Sequence, residues 1–476
     1  MIPRSILVLC AIGFVVAGCT LGPNYRRPQV EVPAAYRRAQ AEVPAPSAKS
    51  LGDLGWWTIF QDAELQELIR TTLAANYDLR IAVARILQAQ AQLRITRSQQ
   101  FPTVNAQADA PYTGYVGGHR PPLVARDSFT PEGGLTLAWE LDLWGKFRRA
   151  TEAARAQLLA SEEVRNAVIT SLVAQVAQAY FSLRALDLDL EISKRTVDSR
   201  QESVELVRAR LEGGVAGILD LQQAETLLYT ATKSIPDTER QIEETENLIS
   251  ILLGKNPGPI ARGRPLGQQL VPPTVPPGLP SDLLTRRPDV RQAEQQLVAA
   301  NAQIGVAKAQ FFPQVTPSGF GGANGFVIRG QSFGPFGFLS ALPVITFPLF
   351  NAGRVQAGVD LAEAQTQEAV IHYQQTIQQA VREVSDALVD VRRLQEVRIQ
   401  QEQLTRTLSD ASQVARQRYE GGVSSYLEVL DTERQYFQAE LDLTTAQRDE
   451  LVGIVGLYRA LGGGWQPEQA PQKPQG

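Results

Sequence analysis

The sequence feature that most constrains the fold is a long stretch without proline near the C-terminal end. The chain has 29 prolines, yet none lies between Pro348 and Pro467. Proline inside a helix removes a hydrogen-bond donor and clashes with the preceding turn, which costs ~3 kcal/mol, so this gap permits long helices. Apolar residues recur here at alternating steps of four and three, as in helices that pack along other helices. They include Ile377, Val381, Val384, Leu388 and Val391.

This stretch predicts a helical hairpin. A helix over 354–420 would be ~100 Å long at 1.5 Å per residue, and it is followed by Gly421 and Gly422. Glycine after a helix permits the left-handed backbone that ends it. Ser425 and Glu428 have the spacing of a capping box, so a second helix is predicted over about 424–461.

The hairpin has an earlier copy, offset by 208 positions. The sequence Glu-Gly-Gly-Val occurs at both 212–215 and 420–423, in each case after an arginine-rich helical segment. We therefore interpret the chain as an internal duplication rather than as two coincidental turns. The first copy predicts helices over about 146–212 and 218–253, with a local kink at Pro236.

Each copy also predicts two β-strands. Apolar and polar residues alternate with a period of two over about 103–117 and 129–143, which is typical of a strand with one buried and one wet face. The counterparts in the second copy are about 314–328 and 333–349. Pro317, Pro335 and Pro343 interrupt the alternation there.

These patterns predict a chain organised in six parts. They are a lipoprotein signal peptide over 1–18, an N-terminal tether over 19–60, a first repeat over 61–256, a proline-rich connector over 257–284, a second repeat over 285–464 and a disordered tail over 465–476. For the adjacent Trp56 and Trp57, packing under a loop is favoured over an aromatic belt at a membrane interface.

The N-terminus has the pattern of a bacterial lipoprotein signal. Arg4 precedes a short apolar segment that ends in Val-Ala-Gly-Cys at 16–19, which resembles a lipobox. Cys10 would leave with the signal, so Cys19 would be the one cysteine of the mature chain, and it is predicted to carry an N-acyl and an S-diacylglycerol lipid. Thr20 follows, whereas aspartate there would suggest retention at the inner membrane. An ordinary signal peptide with a chance cysteine is the alternative.

Composition excludes several classes of function. With 46 basic and 50 acidic residues and no basic stripe, nucleic-acid binding is not expected. The only methionine is Met1, so no pathway lined with thioether ligands is expected in the mature chain. His119 and His372 are far apart in the predicted layout and no Gly-x-Ser-x-Gly motif occurs, so the chain is not expected to be an enzyme or to hold a cofactor other than the lipid.

The strands predict an assembly of several chains. Four amphipathic strands cannot lie alone in lipid, because backbone donors and acceptors there must all be paired, as in a closed barrel. Two copies would give eight strands and a filled interior, whereas three would give twelve strands and a lumen. The predicted fold class is thus mostly α-helical with a membrane β-barrel, in which duplicated protomers form a trimeric twelve-stranded barrel fused to a long α-helical barrel.

The sequence resembles the TolC-like outer-membrane efflux factors, and within them the lipidated NodT-type subfamily that works with resistance-nodulation-division pumps. The order and spacing of many short motifs carry the resemblance. They include Trp56-Trp57, Asn76-Tyr77-Asp78-Leu79, Trp139 to Gly145, Arg287-Pro288-Asp289-Val290, Phe311-Phe312-Pro313, Pro348-Leu349-Phe350 and Gly353-Arg354. Phe347 stands where the family often has tryptophan.

The resemblance implies a passive homotrimeric duct in the outer membrane, with its helical barrel in the periplasm. A periplasmic adaptor protein and an inner-membrane pump would dock on it, and small toxic compounds or drugs would leave through it. Two alternatives stay open, a duct for type I protein secretion and a structural coiled-coil envelope lipoprotein. The exported compounds and the cognate pump are not predicted.

Two sets of site residues follow from the resemblance. The hairpin tips, Gly213-Gly214-Val215 and Gly421-Gly422-Val423, would contact the adaptor, although their glycines also serve the turns. Leu427, Asp431 and Arg434 lie at helical spacing just after the second tip and match the family's closed gate, in which rings of leucine and aspartate are held by salt bridges. The alternative for Asp431 and Arg434 is a solvated pair of little energetic weight.

Overall fold

The computed structural model describes residues 20–33, 36, 50–114, 127–270, 280–328 and 331–466. The predicted signal peptide, Cys19 and all but the first two residues of the predicted tail lie outside these ranges. The chain forms two compact units. Unit one comprises 1–29, 85–161 and 292–373, and unit two comprises 30–84, 162–291 and 374–476, in each case within the described residues.

The described residues form nine α-helices, in which the duplication is visible as paired lengths. They are α1 (Trp56–Ile59), α2 (Ala63–Ala75), α3 (Tyr77–Ser98), α4 (Lys146–Glu212), α5 (Ile218–Leu252), α6 (Leu283–Arg286), α7 (Pro288–Ala309), α8 (Arg354–Glu420) and α9 (Tyr426–Ala460). Helices α4 and α8 have 67 residues each, and α5 and α9 have 35 each. Helix α5 continues through Pro236, where a local kink stays a prediction.

Among the described helices, none combines the length and the apolar character needed to cross a membrane.

Unit one contains the sheet. Its strands are β1 (Thr103–Asp109), β2 (Tyr112–Gly114), β3 (Asp127–Phe129), β4 (Glu132–Ala138), β5 (Gln314–Ile328) and β6 (Gln331–Thr346). All strand pairs are antiparallel. Strand β1 pairs with β4, and β2 pairs with β3. Strands β4 and β3 both pair with one edge of β5, and β6 pairs with its other edge. Strand β2 lies in line with β1, and β3 lies in line with β4. The six segments therefore occupy four positions across the sheet, which we call strand paths.

Two strands end earlier than the alternation predicts. The strand predicted over about 129–143 ends at Ala138, although Trp139 N and Leu141 N still donate to Pro317 O and Val315 O. The strand predicted over about 333–349 begins at Gln331 and ends at Thr346, two residues before Pro348, which has no N–H to donate to a ladder. Side-chain alternation alone does not mark where the ladder stops.

Residues at the start of the described chain are hydrogen-bonded within unit one. Leu21 N donates to Trp144 O at 3.1 Å. The guanidinium of buried Arg149 donates to the carbonyl oxygens of Leu21 and Gly22 and to Asn24 Oδ1. The predicted tether over 19–60 therefore begins with a docked segment, whose hydrogen bonds the composition of the region did not indicate.

Unit two is organised around a buried carboxylate, Asp62. Its Oδ1 accepts from the backbone N–H of Glu64 at the start of α2, and its Oδ2 accepts from Tyr180 Oη and Gln269 Nε2. Burial alone would raise the pKa of Asp62, but these hydrogen bonds hold it below its usual value. Trp56 is buried in the same unit, as the packing interpretation predicts.

Candidate functional site

The two hairpin tips have the same backbone geometry. Val215 N donates to Arg210 O and Val423 N donates to Arg418 O, both at 3.0 Å, which satisfies carbonyl groups at the ends of α4 and α8. Gly214 and Gly422 have φ angles of +75° and +76°. Residues that carry a side chain rarely adopt these angles, so the turn itself requires the two glycines.

The valines beside these turns are exposed. Val215 is 77% exposed and Val423 is 70% exposed. Exposed apolar side chains at the end of a hairpin are available for a protein contact. The turn role of the tips is therefore established by geometry, and their contact role is a proposal.

Behind the tips, the two hairpins share one core. Residues of all four long helices pack together there. They are Val204 and Val207 of α4, Ala224 and Leu228 of α5, Ala415 and Tyr419 of α8, and Tyr426 and Val429 of α9. The four long helices thus meet in a four-helix packing arrangement at this end of unit two.

The three predicted gate residues lie along α9 and are exposed in the protomer. Leu427 is 59% exposed. Arg434 Nη2 lies 2.9 Å from Asp431 Oδ1, and Gln435 Nε2 donates to Asp431 Oδ2 at 2.6 Å. The structure therefore brings Asp431 and Arg434 together as a solvent-exposed pair within one helix, a kind of pair that contributes little to stability by itself.

A buried ion pair lies next to these residues and was missed from the sequence. Arg416 Nη2 lies 2.6 Å from Glu433 Oε1, and it also donates to the hydroxyls of Ser199 and Ser203 on α4. Glu433 is only 8% exposed. The signal was present, because Glu433 and Arg416 have the counterparts Glu225 and Arg208 in the first repeat.

A second missed contact joins the two tips. Arg210 donates to the backbone carbonyls of Tyr419 and Glu420 at 3.0 and 2.9 Å, and its guanidinium lies 4.4 Å from the centre of the Tyr419 ring. A cation at the C-terminal end of a helix stabilises the exposed carbonyls there. Arg210 of the first hairpin therefore caps α8 of the second.

The capping box predicted at Ser425 and Glu428 is wrong. Ser425 occupies the N-cap position of α9, but its side chain makes no capping hydrogen bond. The carboxylate of Glu428 instead lies 3.5 Å from Arg418, across the turn. In the first hairpin Asp220 does accept from the backbone N–H of Gly217. The spacing of a capping box is therefore present in both hairpins, but in the second one the carboxylate lies near Arg418 instead.

A family model described as outer membrane efflux protein matches residues 68–255 and 279–463. These ranges cover most of the chain. The chain belongs to this family.

Individual relatives agree with the family match. The cation efflux system protein CusC of Escherichia coli K12 is 35% identical over 471 residues, covering 98% of this chain and all of CusC. The toluene efflux pump outer membrane protein TtgC of Pseudomonas putida is 36% identical over 484 residues, covering 99% of this chain and 98% of TtgC. Full-length similarity thus extends to proteins named for cations and for an organic solvent.

Solved structures give the same result. The outer-membrane channel OprN superimposes with a TM-score of 0.84 at 33% identity, covering 94% of this chain and all of OprN. The open state of the Neisseria gonorrhoeae outer membrane channel MtrE gives 0.84 at 33% identity, covering 94% and 99%.

These matches confirm the main predictions. The predicted family and fold class are correct, with a mostly helical, duplicated protomer that supplies strands to a trimeric membrane barrel. The protein is an outer-membrane channel of an efflux system and not an enzyme. Within the described residues, no cluster of three or more histidine, cysteine or carboxylate side chains could hold a metal ion.

Proposed function

We propose that three copies of this chain form the passive exit duct of a tripartite pump for small toxic compounds or drugs. One observation carries the stoichiometry. The described sheet has two edges, one formed by β1 and β2 and the other by β6. Each edge is hydrogen-bonded to the sheet on its inner side and has no neighbour on its outer side within the described residues. In lipid these edges must pair with other copies, and three copies of four strand paths make a twelve-stranded barrel with a lumen.

We propose that lipid on Cys19 attaches each protomer to the outer membrane. The docking of the adjacent segment supports this. Thr20 packs against Gly145, where an added Cβ would lie 2.9 Å from the Cα of Thr20. Lipid attached to the residue before Thr20 would then lie near the start of α4 and the ends of the strands. A membrane surface is expected at that level of the protein.

We propose that the tips contact a periplasmic adaptor protein and, through it, an inner-membrane pump. Two observations support this. Val215 and Val423 are exposed, and each follows a glycine turn that is held by backbone hydrogen bonds. Rigid, apolar tips suit docking, because little conformational freedom is lost when they are covered.

We propose that Leu427, Asp431 and Arg434 form the gate. In a trimer, three Asp431 carboxylates around the axis would repel one another, and the neighbouring Arg434 side chains would offset this repulsion and keep the ring compact. The ion pair seen within α9 supports the proposal, because each carboxylate already has its cation.

The duct is tested by reconstitution. Purified, lipidated protein is expected to have the mass of a trimer in detergent and to conduct ions in planar bilayers. Deletion of the gene is expected to sensitise cells to drugs or detergents, and Cys19→Ala is expected to lose the acyl mass while keeping the fold. A stable monomer without conductance would contradict the proposal. If, in addition, cells that lack the gene tolerate drugs normally, the result would favour a structural lipoprotein.

A further inference from the structure

The two faces of the sheet differ in chemistry. Register places one set of residues on one face, called here the polar face. It includes Asn105, Gln107, Asp109, Glu132, Thr136, Ser318, Asn324 and Ser340. The opposite face is apolar and includes Val104, Ala106, Ala108, Leu135, Leu137, Ala323, Leu339 and Ala341. In a membrane barrel the apolar face meets lipid, so the polar face lines the lumen.

Several apolar side chains of β5 and β6 depart from this pattern, because they lie on the polar face. Two of them are Leu342, opposite Ser318, and Val344, opposite Thr316. The other five are phenylalanines, called here the phenylalanine cluster, and they are Phe320, Phe326, Phe333, Phe336 and Phe338. Phe336 is opposite Asn324 and Phe338 is opposite Gly322 in the ladder. The ring centres of Phe320 and Phe338 are 5.2 Å apart, those of Phe326 and Phe333 are 5.0 Å apart, and those of Phe326 and Phe336 are 5.9 Å apart, all stacked.

Packing within the sheet explains part of this cluster. The ring of Phe320 lies over Gly134 and Gly322, where an added Cβ would approach it to 2.8 Å. An aromatic ring that covers cross-strand glycines stabilises a sheet. Phe333 and Phe336 are different, since they remain 42% and 51% exposed. Their rings present apolar surface to the lumen, as the exposed side chains of Leu342 and Val344 do nearer the other end of β6, but only the rings also have π faces that attract a cation.

The charge of the same sheet has one sign. The six described strands contain Asp109, Asp127 and Glu132 and neither lysine nor arginine. Asp109 and Glu132 are directly opposite each other on the polar face. Two adjacent carboxylates attract cations, and a lumen with low-dielectric walls concentrates their field.

From this juxtaposition we propose that the phenylalanine cluster, with Asp109 and Glu132, is a transit site for hydrophobic organic cations. The inference rests on the proposed duct function and adds a substrate class to it. Exposed ring faces attract a cation and bury its apolar groups, while the carboxylates balance its charge. Three copies of the site surround one lumen. Each contact is weak, which suits a duct, because a substrate must enter the site and also leave it.

Channel block measures this site directly. Reconstituted wild-type protein is exposed to benzyltrimethylammonium, to tetramethylammonium, which lacks the ring, and to benzenesulfonate, which has the ring but the opposite charge. Benzyltrimethylammonium is expected to reduce the current at a concentration about fivefold lower than either of the other two. Equal block by benzyltrimethylammonium and tetramethylammonium would overturn the inference.

Two variants separate the aromatic and the electrostatic parts. Phe333→Leu with Phe336→Leu keeps apolar side chains and removes the rings, so the half-blocking concentration of benzyltrimethylammonium should rise about fivefold, to the tetramethylammonium value. Asp109→Asn with Glu132→Gln should lower the permeability of K⁺ relative to Cl⁻. Leu339→Ala, on the opposite face of β6, is the matched control and should change neither quantity.

The outcomes separate this inference from the duct itself. A conducting wild-type trimer that is blocked identically with and without the two rings would overturn the transit site and leave the duct proposal intact. A wild-type trimer without conductance would overturn both. Trimer mass and unmodified current without blocker confirm that each variant has folded.

Discussion

The two hairpin tips show how one duplicated sequence acquires two roles. In each hairpin an arginine precedes the tip and a glutamate follows it, at equivalent positions of the two repeats. In the first hairpin Arg208 and Glu225 are 3.0 Å apart, and the Glu225 side chain is 31% exposed. In the second hairpin Arg416 and Glu433 are 2.6 Å apart, and the Glu433 side chain is 8% exposed. The pairs are equivalent in sequence but differ in solvation.

Two tyrosines account for part of the difference. Tyr419 and Tyr426 stand where the first repeat has Leu211 and Ile218, and their rings meet edge to face at 5.2 Å within the tip core. The larger side chains enclose the end of the second hairpin, and Arg210 lies over the Tyr419 ring. The first hairpin therefore supports the second.

The same second hairpin also carries the charges of the proposed gate. Asp431 and Arg434 correspond to Gln223 and Thr226 in the first repeat. The duplication thus separates a supporting hairpin from a gating hairpin, and equivalent substitutions in the two copies should have unequal effects.

Removal of the buried carboxylate should have the largest effect. Glu433→Gln removes the charge that pairs with Arg416. Because the Arg416 side chain is 35% exposed, the expected destabilisation of the tip is about 2–3 kcal/mol, below that of a fully buried pair. Glu225→Gln, in the solvated pair, should cost less than about 1 kcal/mol. Thermal unfolding followed by circular dichroism measures both, and equal shifts would show that the two tips are energetically alike.

The arginine that joins the tips comes next. Arg210→Ala removes two charge-assisted hydrogen bonds and a cation–π contact, at a cost of about 1.5–2 kcal/mol. Arg418→Ala, the equivalent change, removes only an exposed ion pair and should cost less than about 1 kcal/mol. Hydrogen exchange of the amides at 419–423 should accelerate in the first variant alone. Acceleration in both would contradict a one-way support of the second hairpin by the first.

A third difference concerns pH. Burial raises the pKa of Asp189 to about 6, with Thr444 and Arg448 acting in the opposite direction, while the equivalent residue in the second repeat is Val397. The folded protein therefore binds this proton more tightly than the unfolded chain does. Stability from this group is present below a pH of about 4 and is lost as the pH rises to about 6. The loss is expected to be about 1–2 kcal/mol, which is less than the ~3 kcal/mol of a fully buried carboxyl because solvent partly screens this half-buried side chain.

Asp189→Val should remove this slope and stabilise the protein at pH 7. Denaturant unfolding at pH values from 4 to 7 measures it. Asp198→Asn, at an exposed position of the same helix, is the control and should retain the slope. Parallel profiles of wild type and Asp189→Val between pH 4 and 6 would show that Asp189 is ionised in the folded protein throughout, because the other carboxylates contribute equally to both profiles.

The gate substitution should have the smallest effect on stability and a clear effect on conductance. Asp431→Ala with Arg434→Ala removes an exposed pair, so unfolding should change by less than about 0.5 kcal/mol. Single-channel conductance should rise severalfold, because the pair no longer holds the constriction. Gln223→Ala with Thr226→Ala is the matched control in the first hairpin. Equal conductance of wild type and the gate variant would remove the gate proposal.

Much of the scaffold could be predicted because its signals are local. Proline placement and apolar spacing give the long helices, and the Glu-Gly-Gly-Val turns give their ends. The contact of Arg210 could not be predicted in this way, because its partners Tyr419 and Glu420 are 209 and 210 residues distant along the chain. The pairing of Glu433 with Arg416 had a signal in the repeat, but the burial of this pair depends on how the helices pack. The capping box at Ser425 was wrong for a related reason, since in the folded hairpin Glu428 lies near Arg418, on the other side of the turn.

The sequence by itself therefore determined the long helices, the duplication and the two-faced strands of the first copy, since these depend on neighbours along the chain. Only the tertiary structure decided which of two equivalent ion pairs is buried, which arginine caps the other hairpin and that five phenylalanines gather on the polar face. Burial and pairing between segments depend on which helices and strands meet, and local spacing does not encode that.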